Sequence, residues 1–139
     1  MAKIPEQLGP LKLVRQIGAG RHCQIWEAVD AATGGRVAVK AIVPAMASDP
    51  VQRQLLAHEL RVGKSLDHPT VIKIDRMSEE GGVPHLVMEL FPHDDLKKQI
   101  AAGVTALAPK LQRLVTETAL ALDHVHARGW VHRDFKPEN

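Results

Sequence analysis

The order of the predicted secondary-structure elements constrains the fold more than any other feature of this chain. Apolar alternation and β-branched runs predict three strands, then one amphipathic helix, then two more strands, and after Leu90 the apolar spacing becomes helical. An antiparallel sheet of five strands that carries one helix and is followed by a helical region is an α+β fold. The five strands are predicted at Leu11–Gly18, Cys23–Asp30, Arg36–Ile42, Val71–Met77 and His85–Leu90.

Capping signals place the helices between and after these strands. Ser48-Asp49-Pro50 predicts the start of the first helix, which should run to about Leu66. Asp94 or Asp95 can cap a short helix that continues through Ile100, and a longer one follows from Pro109 to Gly129. The longer helix carries an apolar stripe made of Leu111, Leu114, Val115, Thr118, Leu122 and Val125.

The change of character near Phe91 predicts how the chain is organised. Residues 1–10 are interpreted as an N-terminal extension, 11–90 as a sheet domain and 91–139 as a connecting segment followed by the start of a helical domain. The 139 residues are 45% hydrophobic and 24% charged, which excludes a disordered chain. A net charge of +2 is too small to indicate binding to nucleic acid or to a membrane surface.

Cysteine content and hydropathy predict the compartment. The single cysteine, Cys23, excludes an internal disulfide framework and suits a reducing environment. No apolar run reaches the length of a membrane span, and the first residues lack the apolar core of a signal peptide. We therefore expect a cytoplasmic protein with no membrane segment in this chain.

A glycine-rich turn, Gly18-Ala19-Gly20, joins the first two predicted strands. Glycines between strands let backbone N–H groups approach phosphate oxygens without steric hindrance, although such a turn is usually only a hairpin. A dinucleotide-binding motif is excluded, because the third glycine is missing and a strand follows instead of a helix.

Lys40 and Glu59 form a possible ion pair. Lys40 ends an apolar strand, where a lysine often just extends to water. Glu59 falls on the apolar face of the first helix, and a carboxylate there is costly unless it is paired. Lys40 is the obvious partner, and the alternative is a glutamate at the edge of the stripe that reaches solvent.

The most specific motif is the polar segment Val131–Asn139. Its aspartate, Asp134, is followed by Lys136 and then by Asn139. A base, a cation for phosphate and a metal ligand thus occur in one loop, a combination that is typical of phosphoryl transfer.

Together these motifs resemble the protein kinase domain of the eukaryotic type, over residues 11–139 and in the family's order. Lys136, two residues after Asp134, resembles the mark of serine/threonine kinases, and small-molecule kinases usually lack it. The Ala-rich sequence with His68-Pro69-Thr70-Val71 suggests a bacterial member. The resemblance implies that ATP and Mg²⁺ are used and that the acceptor is a serine or threonine hydroxyl of a protein substrate.

The resemblance also implies a role for each matching residue. Lys40, held by Glu59, would contact the α- and β-phosphates beneath the glycine-rich loop. Asp134 would accept the proton of the substrate hydroxyl, Lys136 would steady the γ-phosphate and Asn139 would hold Mg²⁺. Further residues would bind the nucleotide. The phosphates would contact Gly18 and Gly20, and the ribose would contact Asp95. The adenine would pack against Ile17, Ile25 and Ala38 with Met88 as the gatekeeper beside it, and its edge would bond to backbone groups of Glu89 and Phe91.

Two residues depart from the family pattern. Cys23 stands where a third glycine is usual, and we expect its thiol in an exposed turn beside Arg21, a setting that raises reactivity; the alternative is a packed, inert thiol. Gly63 stands where a bulky apolar residue is usual, one helical turn after Glu59. It should leave a gap and a loosely held helix.

No Asp-Phe-Gly segment follows Asn139 in this sequence. We therefore expect that these residues alone do not phosphorylate a substrate, and that the exposed helical stripe leads to self-association. The alternative function is a non-catalytic, kinase-derived fragment that binds nucleotide or a protein partner.

Overall fold

A computed structural model describes residues 4–138, which form an α+β structure with a six-stranded antiparallel sheet. The sheet order is β1-β2-β3-β4-β6-β5. Five strands were predicted, and the additional one is β1, whose two residues are too few to show a sequence pattern. The strands are β1 Gln7–Leu8, β2 Leu11–Ala19, β3 Cys23–Asp30, β4 Arg36–Ile42, β5 Ile74–Glu80 and β6 Val83–Glu89.

The alternation of side chains along each strand builds a separate apolar cluster on each face of the sheet. Val39 and Ala41 of β4 point to the first face, where the larger cluster also includes Leu8. Ile42 points to the opposite face, where it packs with Leu86 and with Leu56 of the helix α1.

Helix α1 spans Pro50–Ser65, close to its predicted bounds. Asp49 lies just before it, and its Oδ1 accepts a hydrogen bond from the Val51 N–H at 2.8 Å. This cap and the proline at the first helical position define the start that the sequence predicted.

The strand β5 lies further along the chain than was predicted, and β6 begins earlier than was predicted. Gly81 and Gly82 both have positive φ, 58° and 74°, and form the two-residue turn between these strands. This turn fixes the pairing from Glu80 and Val83 outwards, so β5 includes charged residues that carry no apolar pattern. Val71, predicted as strand, instead donates its N–H to the His68 carbonyl in a turn.

The described chain divides into two compact units, residues 4–65 with 72–91, and residues 66–71 with 92–138. The first contains the whole sheet and α1. The second contains α2, Leu96–Ala102, and α3, Leu111–Ala127, which starts after a 3-10 turn at Ala108–Lys110. In this second unit the His68 and His124 rings contact each other with centroids 5.1 Å apart, which joins the 66–71 segment to α3.

Within residues 4–138 no helix is both long enough and apolar enough to cross a membrane.

Candidate functional site

One face of the sheet collects four of the residues that the sequence predicted to contact nucleotide. Ile25 lies opposite Lys40, and Ala38 lies opposite Met88. Directly paired residues of an antiparallel sheet share a face, as do residues two apart on one strand, such as Ala38 and Lys40. The register therefore places the apolar side chains of Ile25 and Met88 on one surface. The small Ala38 and the cationic end of Lys40 share that surface.

Lys40 and Glu59 form the predicted ion pair on this face. The Nζ of Lys40 donates to Oε2 of Glu59 at 2.6 Å. The two side chains are 26% and 37% exposed, so the pair is partly shielded but still open to a ligand. The pairing itself is confirmed, while the phosphate contact of Lys40 stays a prediction.

The glycine-rich turn lies at the end of the β2–β3 hairpin. A bulge falls between Gln16 and Gly18, so Ile17 is the extra residue, and Gly18 is placed opposite Ile25. A Cβ on Gly18 would contact the Ile25 side chain at 3.4 Å. The N–H of Gly20 donates to the Cys23 carbonyl at 2.8 Å and closes the turn.

The expectation for Cys23 was wrong. Its side chain is half-buried and packs against the cluster of Ile42, Leu56 and Leu86 instead of lying in an exposed turn. Burial raises the pKa of the thiol above its ordinary value, against the lowering effect of Lys40. A thiol with a raised pKa is a poor nucleophile near neutral pH, so the structure favours the inert alternative.

The expected gap at Gly63 is also absent. A Cβ on Gly63 would lie 2.6 Å from Cδ1 and 2.7 Å from Cγ1 of Ile74, distances that real Cβ contacts do not reach. Ile74 of β5 fills the space that a bulky residue at position 63 would otherwise take.

The predicted purine-edge residues lie at the end of β6. Glu89 donates its N–H to the Lys73 carbonyl at 2.9 Å, so its carbonyl is the backbone group that a purine would use. Phe91 follows with an exposed side chain. Both assignments stay predictions.

In the second unit, the loop after α3 brings two predicted catalytic residues together. Lys136 Nζ lies 2.9 Å from Asp134 Oδ2, and both side chains are well exposed. The Asp134 N–H donates to the His132 carbonyl at 2.8 Å. Arg133 between them has φ 61°, and no other non-glycine residue described in this structure has a positive φ. Such strain is typical of functional loops.

Helix α2 is tied to the same loop. The Lys97 N–H donates to the Pro137 carbonyl at 3.1 Å, and Lys97 Nζ pairs with Glu138 at 2.9 Å. This bond from Lys97 holds the pKa of the Glu138 carboxyl below its ordinary value. Asp95, the predicted ribose contact, accepts from the Lys98 N–H through Oδ1 at 2.8 Å and so caps α2. Its other carboxylate oxygen would have to serve the ribose.

The predicted Mg²⁺ ligand, Asn139, lies outside the described residues. From Ile4 to Glu138, no group of three histidine, cysteine or acidic side chains is arranged to hold a metal ion. Asp134 and Glu138 are each paired with a lysine. The described residues therefore do not form a complete metal site by themselves.

Comparison with known proteins decides the family. The sequence profile described as "Protein kinase domain" matches residues 11–139. The chain belongs to the protein kinase domain family.

This kinase-family chain is similar to bacterial serine/threonine-protein kinases. It is 32% identical to PknH of Mycobacterium tuberculosis H37Rv over 99% of its own length and 22% of that protein. It is 37% identical to PknA of Mycobacterium tuberculosis H37Ra over 94% of its length and 32% of that protein. The chain thus spans about a fifth to a third of the length of the curated relatives it matches.

A solved structure shows the same fold. The crystal structure of a mutant form of the Mycobacterium tuberculosis PknI kinase domain matches the whole of this kinase-family chain and 57% of its own chain, with a TM-score of 0.77 at 28% identity. The predicted α+β, kinase-like fold is confirmed.

Sequence reasoning missed the residues of this kinase-family chain that fix α1 in place. Arg53 binds both carboxylate oxygens of Glu79, at 2.7 and 2.8 Å. No motif marks this pair, because its two members are exposed charges 26 residues apart. The Ile74 contact of Gly63 was equally hidden, although the unusual glycine was a signal that the helix backbone is approached closely.

Proposed function

We propose that the chain is part of a serine/threonine protein kinase that transfers the γ-phosphoryl group of ATP to a protein hydroxyl. The carrying observation is the Lys40–Glu59 pair, 2.6 Å apart, on the sheet face that also bears Ile25, Ala38 and Met88. A cation held beside an apolar surface suits a ligand that joins a flat, apolar base to a polyphosphate.

Lys40 supplies positive charge for the phosphates. Glu59 accepts from its Nζ and so restricts the lysine side chain, which reduces the entropy lost when phosphate binds. A fixed cation stabilises the charge on phosphate oxygens without reorganising during the reaction. Mg²⁺, when bound through residues that include Asn139, would supply further neutralisation of that charge.

Asp134 and Lys136 would act on the substrate side. The Asp134 carboxylate would accept the proton of the attacking serine or threonine hydroxyl, and it is exposed enough to be reached by one. Lys136, 2.9 Å away, would turn from Asp134 to the γ-phosphate when ATP is present. The similar bacterial proteins are serine/threonine-protein kinases, which favours a protein acceptor over a small molecule. The need for ATP favours activity in the cytoplasm.

Replacing Lys40 tests the proposal. Lys40→Met in the full-length gene product should lower phosphate transfer to a generic protein acceptor at least about tenfold. A factor of ten in rate corresponds to about 1.4 kcal/mol of barrier, and a lost phosphate contact should raise the barrier by at least that much. Lys12→Met, the same change at an exposed strand lysine, is the control and should keep full activity. Retention of more than about a tenth of the activity by Lys40→Met contradicts the role of Lys40.

A binding measurement separates the catalytic function from the alternative one. ATP affinity of the 139-residue chain is measured by calorimetry with Mg²⁺, beside transfer by the full-length gene product. Binding together with transfer that Asp134→Asn abolishes, and Asp123→Asn does not, supports the kinase. Binding without any transfer by the full-length protein favours a non-catalytic nucleotide-binding protein.

A further inference from the structure

Helix α1 is held against β5 at two points. Near the start of the helix, the Arg53 guanidinium donates to both carboxylate oxygens of Glu79, and its Nε donates to the Ala47 carbonyl at 2.6 Å. Near its end, Gly63 lies so close to Ile74 that a Cβ at position 63 would be 2.6 Å from Cδ1 of the isoleucine. A bidentate ion pair and a close backbone contact both fix geometry.

The two contacts are matched in length. Arg53 and Gly63 are ten residues apart, roughly 15 Å of α-helix. Glu79 and Ile74 are five residues apart, roughly 16 Å of strand. The start of the helix meets the end of the strand, so α1 lies antiparallel along β5 and both ends are in register with it.

Glu59 lies between these two contacts, one helical turn before Gly63. Its partner Lys40 is on β4, which is separated from β5 only by β6. Ile74 cannot move aside easily, because a β-branched side chain has few rotamers and its Cβ position is set by the strand. A methyl group at position 63 would therefore push the helix away and carry Glu59 with it.

We propose that Gly63 is a positioning residue for the Lys40–Glu59 pair. Because Gly63 has no side chain, α1 packs close enough to Ile74 for Glu59 to reach Lys40. Arg53 fixes the other end of the helix through Glu79. The importance of the pair for phosphoryl transfer rests on the proposed function, but the seating of the helix does not.

The test combines substitutions at the two contacting residues in the full chain. The variants are Gly63→Ala, Ile74→Ala and the double variant, with Glu59→Gln as the reference without the ion pair and Lys64→Ala as a control at the exposed neighbouring helix position. Two properties are measured without nucleotide: the Tm, and the acylation rate of the Lys40 amine by mass spectrometry of its peptide.

Gly63→Ala should lower the Tm when Ile74 is present and lower it far less in the Ile74→Ala background. There the clash with Cδ1 and Cγ1 is gone, and only the Cβ of residue 74, at 3.0 Å, opposes alanine's better helix propensity. It should also speed Lys40 acylation severalfold, toward the rate of Glu59→Gln, and the double variant should return toward the wild-type rate. Lys64→Ala should leave the acylation rate unchanged.

A higher Tm for Gly63→Ala in both backgrounds overturns the inference, and so does a lower Tm with no change in Lys40 acylation. If Gly63→Ala does not fold, the double variant decides: folding with slow acylation supports the inference, and failure to fold overturns it. Neither measurement uses ATP, so absence of kinase activity would count against the proposed function alone. In an active protein, Gly63→Ala should change the KM for ATP and kcat in the same direction as Glu59→Gln.

Discussion

At the scale of single residues, Gly20 is a position where a bound ligand would require glycine although the fold does not. Its backbone has no positive φ, and a Cβ there would lie 3.6 Å from the Cys23 carbonyl oxygen, an ordinary contact. The turn itself therefore does not require glycine at this position. What a side chain would hinder is the approach of a phosphate group to the backbone of the turn.

We expect Gly20→Ala to leave the Tm unchanged and to weaken ATP binding about tenfold, or about 1.4 kcal/mol. The measurements are thermal unfolding without ligand and calorimetric titration with Mg-ATP. Gly35→Ala, in the turn between β3 and β4, is the control glycine and should leave the ATP affinity unchanged. Unchanged affinity in Gly20→Ala would show that the turn does not cover phosphate.

At the scale of elements, β3 carries two buried carboxylates that join it to three other strands of the sheet. Glu27 accepts hydrogen bonds from Arg36 of β4 and, at 2.8 Å, from Arg15 of β2. Asp30 accepts from the Ala32 N–H at 2.9 Å and from Arg76 of β5 at 3.0 Å. The pKa of Glu27 is lowered chiefly by the bond from Arg36, and that of Asp30 chiefly by the bond from Ala32.

These lowered pKa values predict loss of stability in acid. The unfolded chain binds protons at Glu27 near its ordinary pKa of 4.5, while the folded state resists them to lower pH. The stabilisation is thus fully present above about pH 4.5 and is lost as the pH falls through the lowered pKa. Denaturant unfolding between about pH 7 and about pH 3 measures it.

The variant Glu27→Gln identifies the source of this acid sensitivity. It should be less stable than the wild type near neutral pH, and its stability should fall less steeply below pH 4.5. The slope of stability against pH measures the protons taken up on unfolding, and the variant should take up fewer, by up to about one proton. Glu6→Gln, at an exposed position, should keep the wild-type slope. Parallel curves for Glu27→Gln and the wild type would contradict the assignment.

The elements that could be predicted from sequence are those with a local signal at both ends. β3 and β4 have the predicted bounds, and α1 begins at its capped proline, because turn and capping residues act within a few positions. β5 was misplaced because Val71 and Ile72 form an apolar run outside the sheet, whereas the glycine turn that fixes the register lies later in the chain.

Within the candidate site, spacing along one helix was sufficient to predict the Lys40–Glu59 pair. The surroundings of Cys23 and Gly63 were not predictable in this way. Each depends on a side chain from a distant strand or helix, and only the assembled sheet shows that Ile74 fills the space beside Gly63.

At the scale of the whole molecule, apolar side chains remain exposed along α3. Leu111 and Val115, one turn apart, are 55% and 59% exposed, whereas Val125 near the end of the helix is buried. Among the described residues of the second unit, Val125 alone is buried. An apolar stripe of this kind favours association through the hydrophobic effect.

We expect the 139-residue chain to self-associate, with an average mass above that of the monomer by light scattering at micromolar concentration. Leu111→Lys with Val115→Glu, a charge pair four residues apart, should lower that mass toward the monomer without loss of helix content. Gln112→Lys with Thr116→Glu, the same charge pair at exposed polar positions of α3, is the matched control and should leave the mass unchanged. A monomeric wild-type chain would contradict the expectation.

The start of the described chain belongs to the sheet, although the sequence suggested an extension. Ile4 and Leu8 lie in the larger core cluster, and β1 pairs with β2 along the outer edge. The family match begins only at Leu11. A chain shortened to that match would lose the backbone pairing of Leu11 and Lys12 with β1 and open the core beneath them. Residues 4–10 thus cover the start of the β2 edge, where an open strand would invite pairing with other copies of the chain.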